Sequence, residues 1–179
     1  MKLEWRPIVL GEGQRQVAID TSLTRTETGE LMRLAKDARV LEIGSAYGYS
    51  AVAMALQGAM VVAIDPHTWL GSYDTMVTNL EAAGVRDRVH IIADLSFSVL
   101  PGLAAAGELF DLVWVDGDHE APTVTHDVEW AVKLLKPTGT LACHDYGEDT
   151  CPGVRQALDA WKPPAKVVDT LALYGPGEW

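Results

Sequence analysis

The stretch VLEIGSAYGYSAVAMA, residues 40–55, joins a short apolar run to an alanine-rich segment through two glycines. Residues 40–43 predict a buried strand, and residues 49–56 predict a helix. Gly44 and Gly48 would let the backbone approach a ligand closely, and the helix N-terminus offers free N–H groups to a carboxylate or phosphate. Three residues separate the glycines, so the spacing is not the GxGxxG of dinucleotide-binding proteins. The unit is therefore either a ligand-binding loop or only a tight strand-to-helix connection.

The same alternation of apolar runs and helical patterns continues along the chain. Further strands are predicted at residues 60–64, 89–93, 110–115, 140–144 and 166–173, and further helices at residues 26–37, 72–83, 123–135 and 153–161. Thr26 or Thr28 is the expected cap of the first of these helices. Near-continuous apolar strands suit a sheet that is covered on both faces. We therefore predict an α/β fold: a doubly wound, mostly parallel Rossmann-like sheet with helices on both faces.

Length and composition limit the class of protein. The 179 residues, 48% of them hydrophobic, are enough for one core. With 14 basic and 25 acidic residues the formal net charge is -11, which opposes binding to nucleic acid or to an anionic membrane surface. The N-terminus lacks the apolar core of a signal peptide, and no apolar run approaches the ~18 residues of a membrane span. We expect a cytoplasmic protein in which Cys143 and Cys151 form neither a disulfide framework nor a cysteine zinc site.

In a sheet of this kind the ligand lies beyond the carboxyl ends of the strands, where the strand order reverses. Asp65 follows the second predicted strand, 21 residues after Gly44, where an acid can accept hydrogen bonds from ribose hydroxyls. Alternatively, Asp65 is a turn aspartate before Pro66. Together, the glycine turn and the acid favour an adenosine-containing ligand.

Two more acids follow strands that should be neighbours. Asp116 and Asp145 would lie at strand ends ~4.8 Å apart, where two carboxylates repel unless a positive charge lies between them. A divalent cation satisfies both; in the alternative, both acids accept backbone N–H bonds in turns. His119 comes three residues after Asp116 and titrates near neutral pH, so it can take a proton from a hydroxyl.

These segments resemble a known family. Residues 40–55, the stretch AAGVRDRVHIIADLSFSVLPGL and the VDGDH segment are similar to class I S-adenosylmethionine-dependent methyltransferases, especially the catechol and macrolide-sugar O-methyltransferases. The resemblance covers about residues 26–173. It implies the class I methyltransferase fold in a minimal form, with the last antiparallel strand reduced or absent.

The resemblance also implies residue roles. The implied cofactor-binding residues are Glu42, Gly44, Tyr47, Gly48, Ser50, Asp65, Asp94, Ser96 and Asp116. The implied metal ligands are Asp116, His144 and Asp145, and the implied catalytic residues are His119 and Asp116. Catechol enzymes carry Asp-Asn where this chain has His144-Asp145; an imidazole shifts the preference from Mg²⁺ toward Mn²⁺, Fe²⁺ or Zn²⁺. Mg²⁺ or Mn²⁺ is expected, the identity of the metal stays open, and His144 is either a ligand or a supporting core residue.

Other side chains receive mainly structural interpretations. Asp127 and Glu129 are read as a charged helical face, and His90 as a packed strand residue. Asp118 is either a supplementary ligand or solvated. Trp69 either flanks the adenine or covers the core.

We therefore predict a single S-adenosylmethionine-binding domain at residues 26–179, preceded by residues 1–25 as a candidate cover for the pocket. The expected function is a divalent-metal-dependent O-methyltransferase for a catechol-like, phenolic or sugar hydroxyl of a small molecule. One alternative is an S-adenosylmethionine-binding interaction module without catalysis. A nicotinamide dehydrogenase is disfavoured by the missing third glycine. A homodimer stays open, and the sequence does not identify the acceptor.

Overall fold

The computed structural model describes residues 4–8 and 17–179. The strands are β1 (Glu4–Ile8), β2 (Val17–Thr21), β3 (Arg39–Ile43), β4 (Met60–Ile64), β5 (Val89–Ile92), β6 (Phe110–Val115), β7 (Leu135–Cys143), β8 (Lys166–Val168) and β9 (Leu171–Tyr174). The helices are α1 (Arg25–Leu34), α2 (Tyr49–Ala55), α3 (Ser72–Ala82), α4 (Ser96–Ala105), α5 (Ala121–Leu134) and α6 (Pro152–Trp161). Within the described ranges, no helix is both long enough and apolar enough to cross a membrane.

Seven strands form one sheet in the order β5-β4-β3-β6-β7-β9-β8. The first five of these run parallel, and β9 is antiparallel to both of its neighbours. From β3 the chain adds β4 and β5 on one side and β6 and β7 on the other, so the strand order reverses between β3 and β6. The predicted doubly wound sheet is confirmed.

Alternate residues of the central strands feed two separate cores. Val40 and Trp114 pack on one face with α1, α2 and α3, whereas Leu41 and Val113 pack on the other face with α4, α5 and α6. Both faces are thus apolar, which explains the near-continuous hydrophobic runs of β3 and β6. The charged residues of these segments are therefore concentrated at the strand ends.

The last predicted strand, residues 166–173, is instead a hairpin. β8 and β9 are separated by Asp169 and Thr170, and Asp169 has a positive φ of 53°. Aspartate tolerates this left-handed conformation, so the turn needs no glycine or proline and leaves no turn signal in an otherwise apolar stretch of sequence. The final antiparallel strand is therefore present, reduced to the four residues of β9, and it lies between β7 and β8.

Three other elements differ from the sequence prediction. Helix α4 is not predicted by the sequence pattern because it contains Pro101 and Gly102, which disfavour a helix interior. Strand β7 begins at Leu135 rather than at residue 140, because Leu135 already pairs with Phe110 ahead of an irregularity in register. Strands β1 and β2 form a separate antiparallel hairpin within residues 1–25.

Candidate active site

A cavity of about 540 Å³ opens at the carboxyl ends of β3, β4 and β6, where the strand order reverses. Its polar lining side chains are Asp65, Thr68, Ser96, Asp116, Asp118, His119, Thr123 and Asp127. A smaller cavity of about 120 Å³ adjoins it and is bordered by Tyr47, Ser50, Trp69, Asp116, His119 and residues 20–23. The fold therefore brings predicted site residues from four separate segments of the chain to two adjoining cavities.

The glycine loop after β3 packs closely against other parts of the same chain. A Cβ on Gly44, whose φ is 89°, would lie 2.1 Å from the carbonyl oxygen of Asp116. A Cβ on Gly48, whose φ is 84°, would lie 2.8 Å from Cγ of Met76 on α3. The glycines thus let the loop lie against the end of β6 and let α2 begin beside α3. The glycines are therefore required for packing within the protein, and their predicted close approach to a ligand stays a prediction.

Asp65 holds the same loop from the end of β4. The backbone N–H groups of Ser45 and Ala46 donate to its Oδ2 at 2.9 and 2.8 Å, and the N–H of His67 donates to Oδ1 at 2.7 Å. A carboxylate has about four acceptor positions, so these three bonds leave capacity for one more donor. Asp65 lines the larger cavity, and its ribose-binding role stays a prediction.

Glu42 lies beneath the loop. Its side chain is fully buried and accepts a hydrogen bond from the Ser50 hydroxyl. Burial, reinforced by the charges of Asp116 and Asp65, raises the pKa of Glu42 to about 8, so the carboxyl group is mostly protonated at neutral pH. In the part of the chain that the structure describes, Glu42 borders neither cavity, and its present contacts are with the protein.

The larger cavity is also lined by a residue for which the sequence interpretation is wrong. Asp127 does not belong to a charged helical face: it is 2% exposed and hydrogen-bonded to Ser96 and to Nδ1 of His126 at 3.0 Å. Burial raises its pKa. Asp94, one of the predicted cofactor-binding residues, is exposed and accepts the backbone N–H of Leu95 at 2.7 Å.

The structure also shows the exposure of three residues outside the predicted catalytic and metal-binding set. His90 is exposed rather than packed, because it lies on the edge strand β5. Trp69 is 51% exposed, with its ring centroid 5.9 Å from that of Tyr47, so it stands at the mouth of the cavities instead of covering the core. Glu129 is exposed on α5, as predicted.

The three predicted metal ligands meet at the ends of β6 and β7. Nδ1 of His144 is 3.2 Å from Asp116 Oδ1 and 3.3 Å from Asp145 Oδ2, and the three ligand atoms all lie within 4.8 Å of one another. On its other side, His144 Nε2 is 3.4 Å from Oε2 of Glu27 on α1. Glu27 is absent from the predicted site because it is 117 residues away from His144 in sequence.

Glu27 has a second role at the start of α1. Thr24 caps this helix, and Glu27 completes a capping box by accepting the Thr24 N–H at 2.8 Å; the expected caps Thr26 and Thr28 lie inside the helix. Burial opposes ionisation of Glu27, but hydrogen bonds from His144, Thr24 and Thr170 lower its pKa to about 2. The Thr24-x-x-Glu27 pattern is the sequence signal that could identify this cap.

The electrostatics of this cluster differ from the sequence-based expectation. Burial opposes protonation of His144, but the neighbouring Asp116, Asp145 and Glu27 carboxylates outweigh it and raise the pKa of the imidazole. Burial likewise opposes ionisation of Asp145, but the adjacent imidazoles of His119 and His144 outweigh it and lower the pKa of this carboxyl group. The chain itself therefore supplies positive charge between the two aspartates. Their proximity alone no longer requires a metal, and metal binding stays a prediction.

His119 stands where the two cavities meet. Its Nε2 lies 2.9 Å from Asp145 Oδ2, and its side chain is 34% exposed. The adjacent Asp145 carboxylate raises the pKa of His119 despite partial burial. Asp118 accepts the backbone N–H of His119 at 2.8 Å and so helps to shape the turn after β6.

An open, mostly parallel sheet with a cavity at its reversal point defines the doubly wound α/β class, in which ligands bind at this edge of the sheet. Residues 41–146 match a family described as Methyltransferase domain, which is more than half of the chain. The protein belongs to this methyltransferase domain family.

Individual relatives agree with this assignment. A catechol O-methyltransferase of Mycobacterium tuberculosis is 31% identical over 140 residues, covering 66% of this chain and 60% of the relative. The chain thus spans less than two thirds of that relative's length. A cofactor-bound structure, Rv0187 from MTB, has a TM-score of 0.73 at 26% identity and covers 88% of this chain and 83% of that one. An O-methyltransferase from Bacillus cereus in complex with SAH has a TM-score of 0.65 at 25% identity, with coverages of 79% and 72%. The predicted class I methyltransferase fold is confirmed.

Proposed function

We propose that the protein is an S-adenosylmethionine-dependent O-methyltransferase that acts on a catechol-like, phenolic or sugar hydroxyl of a small molecule and uses a divalent metal. One observation carries the proposal: His119 borders both the larger and the smaller cavity and is held by Asp145. A base at the junction of a cofactor-sized cavity and a smaller adjoining cavity matches what transfer to a hydroxyl requires.

The larger cavity suits the cofactor. Its volume of about 540 Å³ falls in the usual range for small-molecule sites, roughly 300–1,000 Å³. Asp65 is available to a ribose hydroxyl, and Ser96 and Asp127 are further polar residues of the lining. Four acids line the cavity, which favours a ligand that carries the positive charge of a sulfonium.

The strand-end cluster has donors that suit a metal. Two carboxylate oxygens and one imidazole nitrogen, from Asp116, Asp145 and His144, converge within 4.8 Å. This donor set suits Mn²⁺, Fe²⁺ or Zn²⁺, and Mg²⁺ if the imidazole is not a ligand. When bound, the metal lowers the pKa of the acceptor hydroxyl and the cofactor supplies an activated methyl group.

The protein's own contribution is positioning and proton transfer. Nε2 of His119 contacts Asp145 Oδ2, so Nδ1 is the ring nitrogen that we assign as the acceptor for the hydroxyl proton. In the smaller cavity, Oδ1 of Asp20 is buried without a hydrogen-bond partner among the described residues. A hydroxyl of the acceptor would satisfy this oxygen, which supports a hydroxylated substrate and the role of residues 20–23 as a wall of the acceptor pocket.

The proposal is tested by measuring methyl transfer from radiolabelled S-adenosylmethionine to a panel of catechols, phenols and sugars. We expect transfer to at least one class, loss of transfer after EDTA treatment, and recovery on addition of Mg²⁺ or Mn²⁺. His119→Ala should lower turnover by ~10²–10⁴ because a positioned base is removed. Calorimetric affinity for S-adenosylhomocysteine should be retained. The exposed His90 provides the control, and His90→Ala should retain full turnover.

The outcomes separate the parts of the proposal. Binding of S-adenosylhomocysteine without transfer to any acceptor would favour the non-catalytic interaction module. Full activity after verified metal removal would contradict the metal requirement and leave the methyltransferase assignment intact. Full turnover in His119→Ala would show that another group handles the proton.

A further inference from the structure

A second group of converging ligand atoms includes His119. Side-chain ligand atoms of His119, Asp145 and Cys151 all lie within 4.8 Å of one another, and His119 Nε2 is 2.9 Å from Asp145 Oδ2. Cys151 is 4% exposed and its thiol is free. The proposed methyl transfer makes no use of this thiol.

The start of α6 brings the thiol to this position. Cys151 directly precedes α6, and Gly153 lies in its first turn. A Cβ on Gly153 would lie 2.3 Å from the carbonyl oxygen of His119 and 2.7 Å from the backbone nitrogen of Ala121. Glycine therefore permits the first turn of α6 to lie directly against the start of α5. This backbone contact places Cys151 beside His119.

Contrary to the sequence-based expectation that the cysteines form no zinc site, we propose that His119, Asp145 and Cys151 form a binding site for a thiophilic divalent cation, Zn²⁺ above all. We further propose that an ion bound there withdraws His119 from proton transfer and so inhibits the enzyme. The inhibitory part rests on the proposed function, whereas the binding site itself does not.

The chemistry of the three residues fits such an ion. One nitrogen, one carboxylate oxygen and one thiolate are common Zn²⁺ ligands, and sites with three protein ligands keep a fourth position open. Zn²⁺ needs such donors about 2.0–2.3 Å away, so donor atoms already within 4.8 Å of one another need only local adjustment. The thiolate and the carboxylate together offset the two positive charges, which leaves the buried site neutral.

The site is also accessible from a different side than the cofactor. His119 and Cys151 border a third cavity of about 520 Å³, together with Thr150 and Gly153 between the starts of α5 and α6. An ion can therefore enter without displacing the cofactor. Water or a small anion from this cavity can supply the fourth ligand.

The new site and the strand-end cluster share Asp145 but differ in their remaining donors. A soft thiolate selects Zn²⁺ or Co²⁺, whereas the oxygen-rich cluster with Asp116 also suits Mg²⁺ and Mn²⁺. Because one carboxylate serves both sites, occupancy by Zn²⁺ should oppose occupancy of the cluster.

Titration with Co²⁺ tests the binding site directly, because a cobalt–thiolate bond gives a charge-transfer absorption band that oxygen and nitrogen ligands do not give. We expect the purified metal-free protein to develop this band with one equivalent of Co²⁺, and Zn²⁺ to abolish it. Cys151→Ser should eliminate the band, and Cys143→Ala, a change at the other free cysteine, should retain it. His119→Gln should weaken Co²⁺ binding by about tenfold or more.

Each result has a defined meaning. A wild-type protein without the band, or a band that survives Cys151→Ser, would overturn the site. A band lost equally in Cys143→Ala would also overturn it. If Cys151→Ser does not fold, unchanged Co²⁺ affinity in His119→Gln would still refute the proposal, because His119 is partly exposed and tolerates substitution. Affinity for S-adenosylhomocysteine, measured separately by calorimetry, distinguishes failure of this site from failure of the proposed function.

Discussion

Replacing Glu42 with glutamine should stabilise the protein at alkaline pH. Glu42 lies in β3 with its side chain fully buried beneath the glycine loop. Burial raises its pKa from 4.5 to about 8, and the charges of Asp116 and Asp65 act in the same direction. The hydrogen bond from Ser50 favours the ionised form but does not compensate. Glutamine has nearly the same shape and remains neutral at every pH.

The size of the effect follows from proton linkage. A carboxyl group whose folded pKa exceeds its unfolded pKa binds more protons in the folded state between the two values. The contribution of protonated Glu42 to the free energy of unfolding is fully present below pH 4.5 and is lost as the pH rises through about 8. At about 1.4 kcal/mol per pH unit, the shift corresponds to a loss of up to about 5 kcal/mol in the free energy of unfolding. Glu42→Gln removes this loss.

Urea-induced unfolding, followed by circular dichroism from about pH 5 to about pH 9, measures the effect. The stability difference between Glu42→Gln and the wild-type protein should shift in favour of the variant by several kcal/mol across this range. Glu129→Gln, at an exposed position on α5, is the matched control and should run parallel to wild type. Parallel curves for Glu42→Gln and wild type would refute the argument that burial keeps this carboxyl neutral.

Three other substitutions test the site and the fold. Gly44→Ala should lower the free energy of unfolding, measured in urea, by more than ~3 kcal/mol because its Cβ meets backbone at 2.1 Å. Gly71→Ala should lower it by only ~1–2 kcal/mol, because Gly71 has a positive φ but no described atom within 4 Å of the added Cβ. Equal losses in the two variants would contradict this reasoning. Thr24→Ala should lower the free energy of unfolding by ~1 kcal/mol through loss of the α1 cap, and no change would count against the capping box. Asp127→Ala should weaken calorimetric binding of S-adenosylhomocysteine about tenfold because the Ser96 hydroxyl loses its partner, and unchanged affinity would remove Asp127 from the cofactor site.

Local sequence pattern predicts most of the sheet, because strands buried on both faces leave an apolar signal in each segment. Since Gly44, Asp65 and Asp116 each directly follow such a segment, the pattern also predicts that they share one edge of the sheet, and all three line the larger cavity. The β8–β9 hairpin escapes prediction because Asp169 supplies a turn without a glycine or proline. Helix α4 escapes prediction because Pro101 interrupts its pattern.

Tertiary partners account for the remaining differences at the site. Asp127 lies on a helix that also carries exposed charges, and only the packing of α5 against α4 shows that it faces Ser96. Glu27 and Cys151 come from distant parts of the chain, before β3 and after β7. No local pattern links such residues to His144 or His119. The sequence therefore identifies the strand-end residues and misses the residues that surround them.

The ends of β6 and β7 also show why the alternation of side chains along a strand does not predict the positions of His144 and Asp145. In a regular strand His144 and Asp145 would point to opposite faces, which is why the sequence leaves His144 as either a ligand or a core residue. The strand β7 ends at Cys143, so strand alternation does not extend to these two residues; Asp145 has a positive φ of 60°, and its Oδ2 lies 3.3 Å from His144 Nδ1. A non-glycine residue in this region costs of order 1–3 kcal/mol unless the surroundings hold it, and such strain is concentrated at functional sites. Here the surroundings are His119 and His144, whose ring nitrogens lie 2.9 and 3.3 Å from Asp145 Oδ2. Attraction between this carboxylate and the two imidazoles therefore helps to hold the strained backbone in place.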